Sequence, residues 1–361
     1  MIDCSPYIEL LRQMVSIPSL SKEEGGVTAL LSSALDSMGI DHKIYKNNII
    51  ALNKSYSADK KTLALDAHID TVPAAASYTR NPFDAGDDSD IIYGLGSNDD
   101  GGSVVAMIAA FRHFYDQDLP FNLMLSLSGE EECSGPDGAT WLYAPDGVLK
   151  TEGIYPDWAI IGEPTGLKAA TSERGLLVID AQAQGVSGHA ARNEGVNAIY
   201  IALKDIETLR NHRFEKISEQ MGEVRLNITQ IQAGKAHNII PDTCSFVVDI
   251  RPTDEYTNTE ILNELQSKCE STLKARKLTN RSSASKKGSP LLKTIESLGI
   301  ETFSSPTTSN WIRMDLDAIK MGPGESSRSH QSDEYILTSE IARGIEIYIR
   351  FIDNFYGNTL E

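Results

Sequence analysis

One stretch of the chain decides the expected fold, and it reads Leu63-Ala64-Leu65-Asp66-Ala67-His68-Ile69-Asp70-Thr71-Val72-Pro73. Its apolar run is short enough to be a buried strand, and it ends in turn-forming residues. His68 and Asp70 follow where that strand would end, and residues two apart in an extended segment point to the same side. At the carboxyl end of a strand in an open α/β sheet, that side faces the ligand crevice. An imidazole and a carboxylate placed there can bind a metal ion, with the acid orienting the imidazole.

The composition narrows the class of protein. The chain has 361 residues, 40% of them hydrophobic, and this length favours two or three domains. A formal net charge of −18 argues against nucleic acid or an anionic membrane as a partner, because both need a basic surface. No apolar run reaches the roughly 20 residues of a membrane span, and the first residues lack the features of a signal peptide. We therefore expect a cytoplasmic protein whose four scattered cysteines are free thiols.

The first half of the sequence alternates strand and helix patterns. Strands are predicted near residues 43–45, 49–52, 62–67, 121–128 and 158–161, and apolar helices near residues 7–15, 23–38 and 103–115. This alternation indicates an α/β domain in which helices flank a mixed sheet on both faces. A last helix, with apolar residues at steps of three and four between Ile341 and Phe355, is expected to rejoin that domain.

The pattern changes near residue 172. From there the predicted order is strand, helix, strand, strand, helix, with the second helix over about residues 258–277. This order indicates a small inserted α+β domain with an antiparallel sheet and helices on one face. We therefore predict a main domain of residues 1–172 and 285–361 and an inserted domain of residues 173–284.

The candidate metal ligands share one position in the pattern, because each follows a predicted strand or lies in a loop bounded by Gly or Pro. They are His68, Asp99, Glu132, Glu163 and His330. Two imidazoles and three carboxylates suit Zn²⁺, with Co²⁺ or Mn²⁺ as alternatives. Five ligands exceed the three that one catalytic zinc takes, so two ions sharing a carboxylate fit the count better. Each residue alone also fits a plain structural role, and only their joint placement favours a metal site.

Seven short motifs then connect the chain to a known family. In chain order they occupy residues 66–73, 93–99, 128–132, 161–165, 188–190, 238–242 and 322–334. Together they resemble the acetylornithine deacetylase / succinyl-diaminopimelate desuccinylase family of di-zinc amidohydrolases, which includes aminoacylases and carboxypeptidases. The resemblance covers nearly the whole chain, and it is more specific for the family than for the substrate.

The resemblance implies a fold and a set of ligands. The fold would be a di-zinc aminopeptidase-like catalytic domain with an inserted ferredoxin-like domain that acts as a lid and joins two copies in a homodimer. The ligands would be His68 and Glu163 for one zinc, Glu132 and His330 for the other, and Asp99 as the bridge.

The resemblance also implies two catalytic residues beside the metals. Asp70 would orient the His68 imidazole, and Glu131 would be the general base. The family usually has Asp-Glu-Glu where this chain has three glutamates. A shift of one residue, which would make Glu130 the base and Glu131 the ligand, therefore stays open.

The implied substrate contacts lie in the inserted domain. His189 would polarise the scissile carbonyl in the partner subunit's site, and Asn238 and Arg251 would hold the substrate, since a guanidinium grips a carboxylate with two hydrogen bonds. The implied reaction is metal-dependent hydrolysis of an N-acyl-L-amino acid. Acetylornithine is the first candidate, with acetyl-lysine or acetylcitrulline close to it, and arginine biosynthesis is the matching pathway. The alternatives are a succinyl-diaminopimelate desuccinylase, a dipeptidase or carboxypeptidase, and a binding protein that has lost its metals.

Overall fold

The computed structural model describes residues 2–192 and 194–358. The α-helices of this part of the chain are α1 (Ser5–Val15), α2 (Gly25–Ser37), α3 (Gly102–Phe114), α4 (Ala139–Leu142), α5 (Val148–Thr151), α6 (Ala198–Asn211), α7 (Asn258–Gln266), α8 (Pro290–Leu298) and α9 (Thr338–Asn358). The strands are β1 (His42–Tyr45), β2 (Asn48–Leu52), β3 (Thr62–His68), β4 (Ile91–Tyr93), β5 (Asn122–Ser128), β6 (Trp158–Ile161), β7 (Ala169–Glu173), β8 (Leu177–Gln184), β9 (Gly188–His189), β10 (Arg225–Ala233), β11 (Ile239–Ile240), β12 (Thr243–Arg251), β13 (Thr272–Ala275), β14 (Ser283–Ala284), β15 (Thr302–Ser305), β16 (Asp317–Lys320) and β17 (Tyr335–Leu337).

The described chain divides into two compact units. The first comprises Met1–Thr171, Ala284–Phe303 and Ser309–Glu361, and the second comprises Ser172–Ser283 and Ser304–Thr308. The sequence-based boundaries differ from this division by one residue at each of the two main junctions. The division also assigns residues 304–308 to the second unit, which the sequence pattern does not indicate.

A mixed sheet forms the centre of the first unit. Its strands run in the order β1-β2-β5-β3-β6-β16, with β7 and β14 next in line and β15 paired to β7. The central strands β5, β3, β6 and β16 are parallel to one another, whereas β2 is antiparallel to β5 and β1 is antiparallel to β2. Parallel neighbours bring the carboxyl ends of β3, β5 and β6 to one edge of the sheet.

Both faces of this sheet are covered, as the unbroken apolar strands predict. Leu63, Leu65 and Ala67 pack in the cluster that holds α1, α2, α3 and α9. Ala64 points to the other face and packs in the cluster that holds α4 and α5. These two layers confirm the predicted α/β fold with a mixed sheet flanked by helices.

The second unit has an antiparallel sheet in the order β10-β12-β8-β13. Its chain order is β8-α6-β10-β12-α7-β13, which is the βαββαβ order of a ferredoxin-like fold. Side chains along β8 alternate strictly between buried and more exposed positions. The buried ones pack with apolar residues of α6 and α7 in a single core.

One predicted element of this unit is wrong. The helix expected over about residues 258–277 ends at Gln266, and a strand that the pattern did not indicate, β13, follows it. Side chains fix the turn between them. The Asp205 carboxylate accepts the N–H groups of Glu270 and Ser271, and the Gln266 side chain accepts the N–H of Leu273. These bonds replace the next helical turn, and Leu273 enters the core as a strand residue.

Within the described residues, no helix is both long enough and apolar enough to span a membrane.

Candidate metal centre

The predicted ligands meet at the edge of the sheet where the parallel strands end. His68 is the last residue of β3, Glu131 and Glu132 follow β5, and Glu163 follows β6 by two residues. Because β3 is parallel to both neighbours, the three carboxyl ends lie side by side. The sheet register therefore brings together residues that are 95 positions apart in the chain, from His68 to Glu163.

His68 is held with one nitrogen available for a metal. Its side chain is 2% exposed, and its Nδ1 lies 2.9 Å from the carbonyl oxygen of Asp70. A carbonyl oxygen only accepts hydrogen bonds, so Nδ1 carries a proton, and Nε2 is the ring nitrogen that can bind a metal ion. Nε2 lies 3.2 Å from Asp99 Oδ1. This arrangement of an imidazole between a backbone oxygen and a carboxylate is typical of a metal-ligating histidine.

The Asp70 carboxylate links His68 to the glutamate loop. Its Oδ1 lies 3.5 Å from His68 Nδ1 and also accepts the N–H of Glu131 at 3.0 Å. Its Oδ2 accepts the N–H of Glu132 at 3.1 Å and the hydroxyl of Ser21 at 2.7 Å. Asp70 therefore orients the imidazole and the backbone that carries both glutamates.

Asp99 lies between the two histidines. Its Oδ1 faces His68 Nε2, and its Oδ2 is 3.9 Å from His330 Nε2. The backbone at Asp99 leaves the helical conformation just before α3 begins, which turns its side chain toward the strand ends. Its position fits a carboxylate that bridges two ions.

The fourth and fifth groups form a more open pair. His330 Nε2 lies 3.0 and 3.1 Å from the two carboxylate oxygens of Glu132. The His330 side chain is 54% exposed, and its backbone has a φ of 59° on a loop. Ligand atoms of His68, Asp99 and Glu132 all lie within 4.8 Å of one another.

The negative charges of the clustered carboxylates favour the binding of cations. Burial, together with the charges of Glu132, Asp70 and Asp99, raises the pKa of Glu131 to about 8 against the opposing effect of His68. Burial also raises the pKa of Glu163, where Lys320 opposes the shift and Asp99 and Glu131 add to it. Carboxylates gathered this closely repel one another unless positive charge lies between them. With two imidazole nitrogens facing the same space, the donor set fits a pair of divalent cations.

The three consecutive glutamates, Glu130 to Glu132, have different surroundings. Glu130 has a φ of 60°, and its Oε2 accepts the N–H of Asp137 at 3.1 Å within the loop. Glu131 is electrostatically coupled to His68, and Glu132 contacts His330. The chain turns at Glu130, two residues after β5 ends, and the next two glutamates interact with the histidines.

The three predicted substrate residues belong to the second unit. β9, which contains His189, pairs with β11 beside Asn238, and Ala190 donates its N–H to the Asn238 carbonyl oxygen at 3.1 Å. The side chains of His189 and Asn238 are exposed. Arg251 instead donates two hydrogen bonds to Asp249, at 2.9 and 3.2 Å.

Two supporting carboxylates lie in the motifs, but sequence reasoning gave them no role. Buried Asp66 accepts hydrogen bonds from Ser126, Tyr143 and Asn310 beneath the cluster, and burial raises its pKa to about 6. Glu334 accepts the N–H groups of residues 96, 98 and 99 and so holds the Asp99 loop. Each of these acids lies in the same motif as a proposed ligand, and that shared motif is the sequence feature that could have identified both.

The chain is similar in sequence to known metal-dependent hydrolases. The sequence pattern of the peptidase family M20/M25/M40 matches residues 64–354. The chain is 30% identical over 273 residues to succinyl-diaminopimelate desuccinylase 2 of Ruegeria sp. (strain TM1040), which covers 71% of this chain and 67% of that protein. It is 29% identical over 385 residues to the acetylornithine deacetylase of Proteus mirabilis (strain HI4320), covering 97% and 96%.

Solved structures share the fold. An aminopeptidase PepT from Bacillus cereus superimposes with a TM-score of 0.78 at 18% identity over 98% of this chain and 99% of that one. A dinuclear metal binding peptidase of the M20 family from Bacillus subtilis gives a TM-score of 0.72 at 15% identity over 98% and 97%. The family match spans far more than half of the chain. The chain therefore belongs to peptidase family M20/M25/M40 and is a metal-dependent amidohydrolase.

Proposed function

We propose that this amidohydrolase removes the acyl group from an N-acyl-L-amino acid, with acetylornithine or a close relative such as acetyl-lysine or acetylcitrulline as substrate. The nearly full-length similarity to an acetylornithine deacetylase supports this choice. The observation that carries it is the placement of Glu131 beside the ligand cluster, with Asp70 holding its backbone. A reaction in arginine biosynthesis would follow from that substrate.

The resemblance gives the ligand roles, and the contacts among His68, Asp99, Glu132 and His330 support them. His68, Asp99 and Glu163 would hold one ion, and Asp99, Glu132 and His330 would hold the other. Zinc suits two imidazoles with three carboxylates, and cobalt or manganese can replace it. Such ions, when bound, lower the pKa of a water molecule and polarise the amide carbonyl.

Glu131 is the side chain that we propose for proton transfer during hydrolysis. Glu131 accepts a proton from water and delivers it to the leaving amine, and a pKa near neutrality favours both transfers. Its largely buried position keeps the carboxyl group ready to hold that proton. Asp70 fixes the Glu131 backbone, so that the carboxyl group stays next to the ligands. His189 would polarise the scissile carbonyl, and Asn238 and Arg251 would hold the substrate.

A homodimer is the assembly that we propose, formed through the second unit. On its helix α6, Tyr200 is 72% exposed and Leu203 is 51% exposed. Ile231 on the outermost strand β10 is 55% exposed. Large apolar side chains beside an unpaired strand edge support a contact with a second copy.

Hydrolysis of a substrate panel tests the proposal. Zinc-loaded and cobalt-loaded protein would be assayed for kcat/KM on N-acetyl and N-succinyl amino acids and on dipeptides, with and without chelator. We expect the highest kcat/KM on an N-acyl amino acid and its loss after chelation. A preference for dipeptides, or bound metal without any hydrolysis, would contradict the proposal. Preference for N-succinyl-diaminopimelate would favour the desuccinylase, which the similarity to the Ruegeria protein supports.

A further inference from the structure

Three arginines differ in how far their guanidinium groups are already occupied by partners. Arg174 uses its guanidinium on backbone carbonyl oxygens of the second unit, including those of Glu223 and Met221. Arg251 is paired to Asp249 through two hydrogen bonds. Arg313 differs, because its buried Nη2 has no hydrogen-bond partner among the described residues. Of these three, Arg313 has the donor atom that is left unused.

Arg313 lies in the first unit, beside the proposed base. It ends the short helical turn Asn310–Arg313 and lines a small cavity together with Glu131, Thr140 and Ser309. Burial lowers the pKa of Arg313, and the charge of Glu131 opposes that shift. The guanidinium remains charged, since the pKa of arginine starts far above neutrality. Arg313 is therefore a partly buried cation next to the proposed base, and it has no ion pair within 4.0 Å among the residues that the structure describes.

The buried Nη2 of Arg313 costs free energy as long as no ligand accepts a hydrogen bond from it. A buried donor without a partner costs free energy, and that cost disappears when an anion binds. The matching anion is a carboxylate, because its two oxygens accept parallel hydrogen bonds from the guanidinium fork. Within the described residues, the Glu131 carboxylate does not lie within hydrogen-bond distance of the Arg313 guanidinium, so it is not the anion that pairs with it.

We propose that Arg313 binds a carboxylate of the substrate and thereby sets which N-acyl amino acids are accepted. This inference rests on the proposed function. The carboxylate can belong to the amino acid itself or to the far end of a dicarboxylic acyl group such as succinyl. Both share one chemistry, and the following experiment distinguishes them.

The experiment compares acids with their amides. Zinc-loaded wild type, Arg313→Met and Arg313→Lys would be assayed on N-acetylornithine, its carboxamide, N-succinylornithine and N-succinamoylornithine. A hydrogen bond to a charged group contributes about 1.5–3 kcal/mol, which predicts a loss of about 10- to 150-fold in the acid-to-amide ratio of kcat/KM for Arg313→Met. Arg313→Lys keeps the charge without the fork, so it should lose less.

The pair of substrates whose ratio falls identifies the carboxylate. A fall in the succinyl-to-succinamoyl ratio assigns Arg313 to the acyl group, and a fall in the ratio of acetylornithine to its carboxamide assigns it to the amino acid. Arg350→Met, an exposed arginine on α9, is the matched control and should change neither ratio. Equal losses on all four substrates would overturn the inference, because they would mean that Arg313 serves Glu131 or the fold.

A binding measurement separates this inference from the proposed function. Succinate and succinamide would be titrated calorimetrically into zinc-loaded wild type, Arg313→Met and Arg350→Met. We expect succinate affinity to fall about tenfold or more in Arg313→Met only, since one charged hydrogen bond is lost. If no N-acyl amino acid is hydrolysed but this difference appears, only the proposed function fails. Unchanged succinate binding together with unchanged ratios would overturn the inference alone.

Discussion

The two histidines of the candidate metal centre are held in very different ways. His68 ends a central strand, is 2% exposed and has its Nδ1 fixed by a backbone oxygen. His330 lies on a loop, is 54% exposed and has Glu132 as its nearest partner. The fold therefore builds one half of the site into the sheet and leaves the other half to loops. We expect the His68 half to be ordered before metal binds and to bind its ion more tightly.

The proposed base, which lies beside the ligand cluster, should give the largest effect. Glu131→Gln removes the proposed base and leaves the histidines and the other carboxylates in place. We expect turnover to fall by about 10²- to 10⁴-fold, because that is the usual contribution of a positioned base. Metal content by mass spectrometry should remain at two ions for each chain. Near-normal turnover with both ions bound would reject this role.

Asp70→Asn tests whether the metal affinity of the His68 half depends on the orientation that Asp70 gives to the imidazole. The amide keeps the size but weakens the contact with the imidazole and with the glutamate loop. Loss of such a partner lowers metal affinity by about 10- to 100-fold, so we expect that change at the tighter of two sites in a competition titration. Asp118→Asn, on an 83% exposed side chain, is the control. A loss confined to the weaker site would reverse the comparison.

Alanine at each histidine sharpens the same comparison in metal-free protein. His68→Ala removes a buried side chain and its hydrogen bonds, and we expect a loss of about 1–3 kcal/mol in the free energy of unfolding. His330→Ala removes an exposed side chain, and we expect a change within about 0.5 kcal/mol. Urea unfolding of both variants after metal removal measures the difference. Equal destabilisation would show that the loop half is also ordered without metal.

The smallest effect is expected from Glu334→Gln. Glu334 holds the Asp99 loop through three backbone N–H groups, and the amide retains an acceptor but loses the charge. A hydrogen bond of ordinary strength is worth about 0.5–1.5 kcal/mol, so we expect a metal affinity lowered by a few-fold to tenfold. Calorimetric zinc titration measures it, with the exposed Glu346→Gln as control. No change would mean that the Asp99 loop is fixed by its backbone alone.

The sequence predicts which groups follow the strand ends better than it predicts the conformation of the loop that carries the glutamates. Strand ends follow from apolar runs and turn residues, so the sequence alone places His68, Glu132 and Glu163 at one edge of the sheet. The choice between Glu130 and Glu131 depends on a left-handed residue at Glu130, which the letters do not encode. The assignment of ligand and base roles stays a prediction until the variants are measured.

Features that depend on distant contacts were not predictable. Arg313 approaches Glu131 across 182 positions of sequence, and no spacing rule connects them. The sequence pattern predicts a helix through residues 272–275, but these residues form β13, because the Asp205 side chain, which is distant in sequence, accepts backbone N–H groups after α7 and ends that helix early. Local periodicity describes faces and ends, whereas these contacts exist only after the elements have packed.

The Asp70 carboxylate has a consequence for motion. It accepts the backbone amides of both Glu131 and Glu132, so neither amide is free for solvent while β3 keeps its end in place. These two amide hydrogens should therefore exchange with deuterated solvent only when the strand end opens. Their exchange rates would report the opening of the sheet edge directly, and Asp70→Asn should make both amides exchange faster together.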